Sequence, residues 1–200
     1  MKTVRRSISE QADDAAVIER SKREPDRFAA VFDRHAAHIH RYLARRVGRE
    51  VADDLVAETF LVAFGKRGRY DGGYRDARPW LYGIATNLVG QHRREEVRRW
   101  RRARDLAAGP FDESGRVLGD LTARSIRPLL TEVLAELPGR DRDVLLLIAC
   151  EDLTYEEVAR ALCIPVGTVR SRLHRARAQL RHRLMGTEAA TTYEEILTNE

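Results

Sequence analysis

Aromatic residues are scarce in this 200-residue chain, at 6 %, and β-branched residues never alternate over four or more positions. With no strand signal anywhere, the pattern excludes a sheet and leaves an all-α class. Long hydrophobic runs are also absent. The longest, "VLLLIAC" at 144–150, is far short of the ~20 residues that span a bilayer. "MKTVRRSISEQADD" has no apolar core of a secretory signal, so a cytoplasmic location without membrane insertion is expected. Cysteine is nearly missing: Cys150 and Cys163 form no metal spacing. Both are expected to be small buried hydrophobes in a reducing compartment rather than a disulfide. No internal repeat is present. Asp53, Asp54 and Glu58 are the kind of carboxylate set that binds metals. No histidine or second acid cluster completes a site, and no nucleophilic serine stands nearby. The expectation is therefore no enzyme, no catalytic residue, no metal and no cofactor.

Charge is what the chain has in quantity. Charged residues make up 34 % of it, with a net +5. The densest part is "TVRSRLHRARAQLRHRL" at 168–184, with six arginines, two histidines and no acid. As a helix it places Val169, Leu173, Ala176, Leu180 and Leu184 on one apolar stripe. Successive residues turn by about 100°, so Ser171, His174, Arg175 and Ala178 face away from that stripe. Arg170 and Arg181 take one shoulder, Arg172 and Arg183 the other. A solvated basic face usually mixes in acids for support four residues apart. Here none do, which points to a partner as the source of the neutralising charge, with a solvated basic face as the alternative.

Upstream, Thr154 and Glu157 form a capping box that starts a helix near Tyr155. Val158, Ala161 and Leu162 give that helix an apolar face. Cys163 to Pro165 stop it, because Pro165 cannot continue a helix and biases Ile164 away from α. A second helix begins near Val166. A short helix, a tight turn and a basic helix make a helix-turn-helix, whose second helix enters the DNA major groove in proteins that use it so. A purely structural hairpin is the alternative.

The pattern divides the chain into 1–24, a polar frayed extension; 25–104, a helical domain; 105–125, a Gly-, Pro- and Ser-bearing linker; 126–185, the helix-turn-helix domain; and 186–200, an acidic tail. This predicts two small helical domains joined by a flexible linker. In the first, Phe28, Val31, Phe32, His35, Ile39, Tyr42 and Leu43 trace a helix face. "REVADDLVAETFLVAF" supplies a second helix, and "WLYGIATNLVGQHRREEVRRWRRAR" a third that ends strongly basic. Residues 91–104 hold seven arginines against two glutamates, just after Tyr70, Tyr74, Trp80 and Tyr82. Aromatics beside arginines suit single-stranded DNA, because every base offers a stackable face. Trp80 is better placed to pack at the start of its helix, while Tyr70 and Tyr74 lie in a Gly-rich loop suited to exposure.

These motifs, in this order, resemble the bacterial RNA polymerase sigma factors of the extracytoplasmic-function (ECF) group. "VADDLVAETFLVAF" is similar to the family's helix that docks on the polymerase clamp. "RPWLYGIATNLVGQHRR" resembles its promoter-melting and −10 segment. "LPGRDRDVLLLIACEDLTYEEVARALCIPVGTVRSRLHRARAQLR" resembles its −35 domain. The resemblance covers about 26–184, and "WLYGIATN" with "GTVRSRLHRAR" is specific as a pair. It implies a promoter-specificity factor that binds core RNA polymerase at clamp and flap, recognises −35 and −10 promoter DNA, and helps open it. An anti-sigma factor is a further partner that the family often has.

By the same resemblance, Asp54, Leu55 and Glu58 fall on clamp-binding positions. Tyr70, Tyr74, Trp80, Asn87, Arg93 and Arg94 fall on the −10 and melting segment. Thr168, Arg170, Ser171, Arg172, His174 and Arg175 fall on the −35 helix. The chain departs from the family at Ala57, where glutamine is common, at Thr86, where arginine is frequent, and at Cys163, where glycine is usual. A dimeric helix-turn-helix repressor or activator, and a recombinase or nuclease targeted by such a motif, are the alternatives.

Overall fold

The structure is a computed structural model that describes residues 13–106, 133, 134 and 136–184. The expected linker beyond residue 106, the acidic tail and residues 1–12 of the expected extension lie outside these. Seven α-helices are described: α1 (Asp14–Ser21), α2 (Ala29–Val47), α3 (Arg49–Lys66), α4 (Arg78–Leu106), α5 (Gly139–Ala149), α6 (Tyr155–Leu162) and α7 (Val166–Leu184). No strand occurs among the described residues, as the absence of alternation implies.

The first unit is a bundle of α2, α3 and α4. Apolar residues at helical spacing bury Val31, Ile39, Leu43, Ala52, Leu55, Phe60, Leu81 and Val89 between them. The α2–α3 corner needs Gly48, whose φ of +83° is a conformation that side chains rarely adopt. The second unit packs α7 on α5 and α6. Val169, Leu173, Ala176 and Leu180 of α7 are all buried, which places the apolar stripe where its spacing puts it.

Residues 14–21 are not frayed. Asp13 caps α1 by accepting the Ala15 N–H at 3.1 Å, and Ile18 is 1 % exposed in the core. Asp14 then fixes this helix to the bundle. One oxygen accepts from Arg34 at 2.8 Å; the other meets His35 Nε2 at 2.8 Å and accepts the Ala77 N–H at 3.0 Å. A polar stretch reads as solvated, yet one buried ion pair and one isoleucine anchor it here. Asp14, His35 and Asp76 bring three ligating atoms close together. Asp76 is in turn occupied by the N–H and Nε of Arg78. The cluster is satisfied by protein groups and serves as a clasp.

The two units are packed on each other, an arrangement the sequence pattern did not include. α4 lies against α6, and their residues share one apolar cluster. At the seam Gly83 meets the backbone of Ala161 so closely that a Cβ would stand 3.2 Å from its carbonyl carbon and nearer still to its oxygen. Tyr82 donates to Glu151 Oε2 at 2.5 Å, and Arg45 donates to Oε1 at 3.0 Å. Arg46 pairs with Asp143.

Candidate nucleic-acid and polymerase interfaces

The helix-turn-helix forms as its residues dictate. Thr154 accepts the Glu157 N–H, and the Glu157 carboxylate accepts the Thr154 N–H, closing the capping box. Cys163 ends α6 in the left-handed region, φ 52° and ψ 47°. A cysteine thus holds the conformation glycine would hold more cheaply. Neither cysteine is buried as expected: both are exposed. Cys163 sits at the turn, outside the packed face, and Cys150 ends α5, where desolvation still pushes its thiol pKa up.

On α7, Arg170, Ser171 and His174 face solvent, and Thr168 and Arg172 are half-buried on the flanks. The Ser171 hydroxyl donates back to the Thr168 carbonyl at 3.1 Å. Arg175 departs from the expected outward reach. It is exposed, but Asp141 of α5 holds its guanidinium through two hydrogen bonds, 3.2 Å from Nε and 3.0 Å from Nη2. Bidentate pairing with a buried carboxylate fixes the fork along the protein surface. A flexible four-bond side chain can turn sideways from its helical-wheel direction, which residue spacing does not foresee. Arg183, likewise, pairs with Glu136 at 2.9 Å.

The Gly-rich loop also differs from expectation. Tyr70 is half-buried, stacked at a tilt on Trp80 with ring centres 4.9 Å apart, and donates to the Tyr74 carbonyl at 2.6 Å. Burial raises its phenol pKa. Tyr74 is 43 % exposed, but Arg160 of α6 lies over its ring at 3.8 Å. The second unit therefore covers the aromatic ring that the loop would offer to a base. Asn87 and Arg94 of α4 are exposed. Arg93 is half-buried and donates to the Arg46 carbonyl at 3.1 Å. Burial and the neighbouring Arg46 lower its pKa. Thr86 points inward and meets the Tyr42 hydroxyl at 2.7 Å; burial pushes the Tyr42 phenol up to about 12. Position 86 is thus a core position in this arrangement, not a missing surface contact.

On α3, Asp54, Ala57 and Glu58 are exposed on one face. Leu55 is not part of it. It is 5 % exposed and belongs to the core between the helices. The apolar residue on the exposed face is Leu61, 71 % exposed. Its spacing of seven from Asp54 and three from Glu58 carried that signal in the sequence. Asp53, beside this face, pairs with His40 at 3.0 Å. Among the described residues no helix is long and apolar enough to cross a membrane.

Comparison with known proteins identifies the two units. Residues 31–101 match Sigma-70 region 2, and residues 127–180 match Sigma-70, region 4. The chain is 33 % identical over 162 residues to the RNA polymerase sigma factor CarQ of Myxococcus xanthus, covering 80 % of this chain and 90 % of that protein. It is 33 % identical over 157 residues to the ECF RNA polymerase sigma factor SigL of Mycobacterium tuberculosis, covering 76 % and 85 %. In fold it is similar to the sigma factor RpoE of Bartonella quintana, solved with the anti-sigma factor NepR: TM-score 0.63 at 22 % identity, covering 80 % of this chain and 98 % of that one. With a region 2 bundle, a region 4 helix-turn-helix and relatives matched over nearly their full length, the chain belongs to the ECF group of sigma-70 RNA polymerase sigma factors.

Proposed function

We propose that this sigma factor reads the −35 element with the outer face of α7 and the −10 element with the loop at 70–74 and the exposed part of α4, while the exposed face of α3 docks on the polymerase clamp. The observation that carries this is the segregation of charge. Arg170, Ser171 and His174 face outward on a helix with no acid, and Asp54 and Glu58 share an exposed face with Leu61 on another. Phosphates neutralise the first surface and release counterions. Basic polymerase residues suit the second, with Leu61 adding apolar area.

Thr168, Arg170, Ser171, Arg172 and His174 are assigned to the −35 contact, with Arg175 joining them once it leaves Asp141. Tyr70, Tyr74, Trp80, Asn87, Arg93 and Arg94 are assigned to the −10 and melting contact, Trp80 by supporting Tyr70. Arg160 covers Tyr74, so α6 must leave the loop before a base can stack there. Binding to core polymerase, with the helix-turn-helix unit taken up at the flap, supplies the free energy for that separation. A cytoplasmic setting and control by an anti-sigma factor follow from this role. The test adds purified protein to core polymerase and maps transcript starts on genomic fragments. Defined starts that share −35 and −10 sequences support the assignment. Tight palindrome-specific binding by the free protein, with no starts, overturns it.

A further inference from the structure

The end of α4 is left without a packing partner among the described residues. Every residue from Arg94 to Arg102 is exposed, including Val97 at 49 % and Trp100 at 58 %. A helix end held only by its own hydrogen bonds is marginal in water. Arg93, Arg94, Val97, Arg98 and Arg101 line one shallow groove of about 380 Å³, and Trp100 lies 20° outside it on the helical wheel. The face sets Val97 and Trp100 around Arg93, with Arg94, Arg98 and Arg101 along one side and Glu96 on the other.

One segment of this chain has the complementary chemistry. Residues 187–200, "TEAATTYEEILTNE", contain Glu188, Glu194, Glu195 and Glu200, no lysine or arginine, and the apolar Tyr193, Ile196 and Leu197. It follows α7, whose end is close enough to reach. Arg183 pairs with Glu136, the neighbouring Leu137 carbonyl accepts from Arg142 at 3.3 Å, and Arg142 stands beside Arg93. Burial, with the charges of Arg93 and Arg46, lowers the Arg142 pKa to about 10. The seam beside the groove thus gathers Arg46, Arg93 and Arg142 around Asp143. From Leu184 to Tyr193 the chain can extend roughly 30 Å, ample for these few side-chain contacts.

We propose that the acidic tail, residues 187–200, docks on the Arg93–Arg101 face of α4, its glutamates on the guanidiniums and its apolar residues on Val97 and Trp100. The tail then occupies, as a mimic of phosphate and base, a surface that would otherwise bind DNA. This rests on the DNA-binding assignment of α4 only for its consequence, not for the contact itself.

The test uses the full chain labelled with 5-fluorotryptophan, in which Trp80 and Trp100 give separate resonances assigned by Trp100→Phe. In the double variant Glu194→Lys, Glu195→Lys, the Trp100 resonance moves to its solvent-exposed position and Trp80 stays. Affinity for duplex DNA of no promoter sequence rises about tenfold at low salt, and the gain fades at high salt. An unmoved Trp100 resonance overturns the proposal, even if DNA affinity rises, since the tail then covers α7 or acts by charge alone. A shift that grows with protein concentration also overturns it, by assigning the face to the tail of a second copy. Failure of the sigma assignment is seen separately, as the absence of transcripts with core polymerase while the Trp100 shift persists.

Discussion

Gly83→Ala is the sharpest perturbation of the closed arrangement, because it has opposite effects on two observables. Within α4 an alanine is worth about 1 kcal/mol over glycine in helix stability. At the seam the added methyl would stand 3.2 Å from the Ala161 carbonyl carbon and closer to its oxygen, against an optimum of about 3.5–4.0 Å. Both contacts are backbone, so no side chain can swing aside, and α6 must retreat by roughly half an ångström or more. Overpacking of this kind costs about 1–3 kcal/mol, which is about 5-fold to 150-fold in the closed-to-open ratio. The retreat also loosens the Tyr82–Glu151 hydrogen bond, buried on the same side of α4. The assay is a distance measurement between spin labels on cysteines introduced at the exposed Ala37 and Ala178, in a Cys150→Ser, Cys163→Asn background. Asparagine tolerates the left-handed conformation at 163. The expected outcome is a longer, broader distance distribution with no loss of helical content. Duplex and single-stranded DNA binding by the free protein should rise, because Tyr74 is uncovered. An unchanged distribution in Gly83→Ala would refute the claim that this contact holds the units together.

Further outcomes follow from other contacts. Asp54→Lys with Glu58→Lys should abolish capture of core polymerase and transcription with thermal stability unchanged, since exposed charges contribute little; Leu61→Ala should weaken capture, and Leu55→Ala should instead destabilise the fold, by about 2–5 kcal/mol. Asp14→Asn should lower stability by about 1–3 kcal/mol by removing charge-assisted bonds, read by denaturant unfolding. Burial alone would raise the Asp14 pKa, but His35, the Ala77 N–H and Arg34 hold it below its ordinary 3.8. Its contribution is therefore full above 3.8 and lost as pH falls through the folded value, a loss Asp14→Asn should remove. Glu151 has the opposite sign: burial raises its pKa above the ordinary 4.5, despite Tyr82 and Arg45. Its carboxylate therefore costs stability that is regained as pH falls through that raised value, and Glu151→Gln should flatten this response in denaturant unfolding. On α7, Arg170→Ala and His174→Ala should each cost about 1–3 kcal/mol on the preferred −35 sequence and relax one base position, scored by a base-by-base scan. Arg175→Ala should act more weakly there than in an Asp141→Asn background, where the guanidinium is free to reach DNA.

The all-α class, the helix boundaries of the helix-turn-helix and the family were legible in the residues themselves. The capping box at Thr154 and Glu157 is a local device, completed within four residues. The α7 stripe needs only helical periodicity and a core on one side, so its buried set followed from spacing. The charge contrast between 168–184 and the exposed acids of α3 is composition, and composition survives folding. What the tertiary structure alone decided depends on meetings between distant residues. Asp14 finds Arg34, His35 and Ala77, 20, 21 and 63 positions away, and a polar N-terminal stretch becomes a packed helix. Asp141 takes Arg175 off the outer face of α7 across 34 positions. Spacing puts Leu61 on the face of Asp54 and Glu58, but only the packing of α2 and α4 against the other side of α3 makes Leu55 core and leaves that face at the surface. Gly83 opposite Ala161, and Glu151 between Tyr82 and Arg45, close two units that the periodicity of either one leaves independent. Helical periodicity specifies which face of an element is apolar, because that is set by rotation about its own axis. It carries no information on which other face will meet it, because that depends on shape and charge matching across the whole chain.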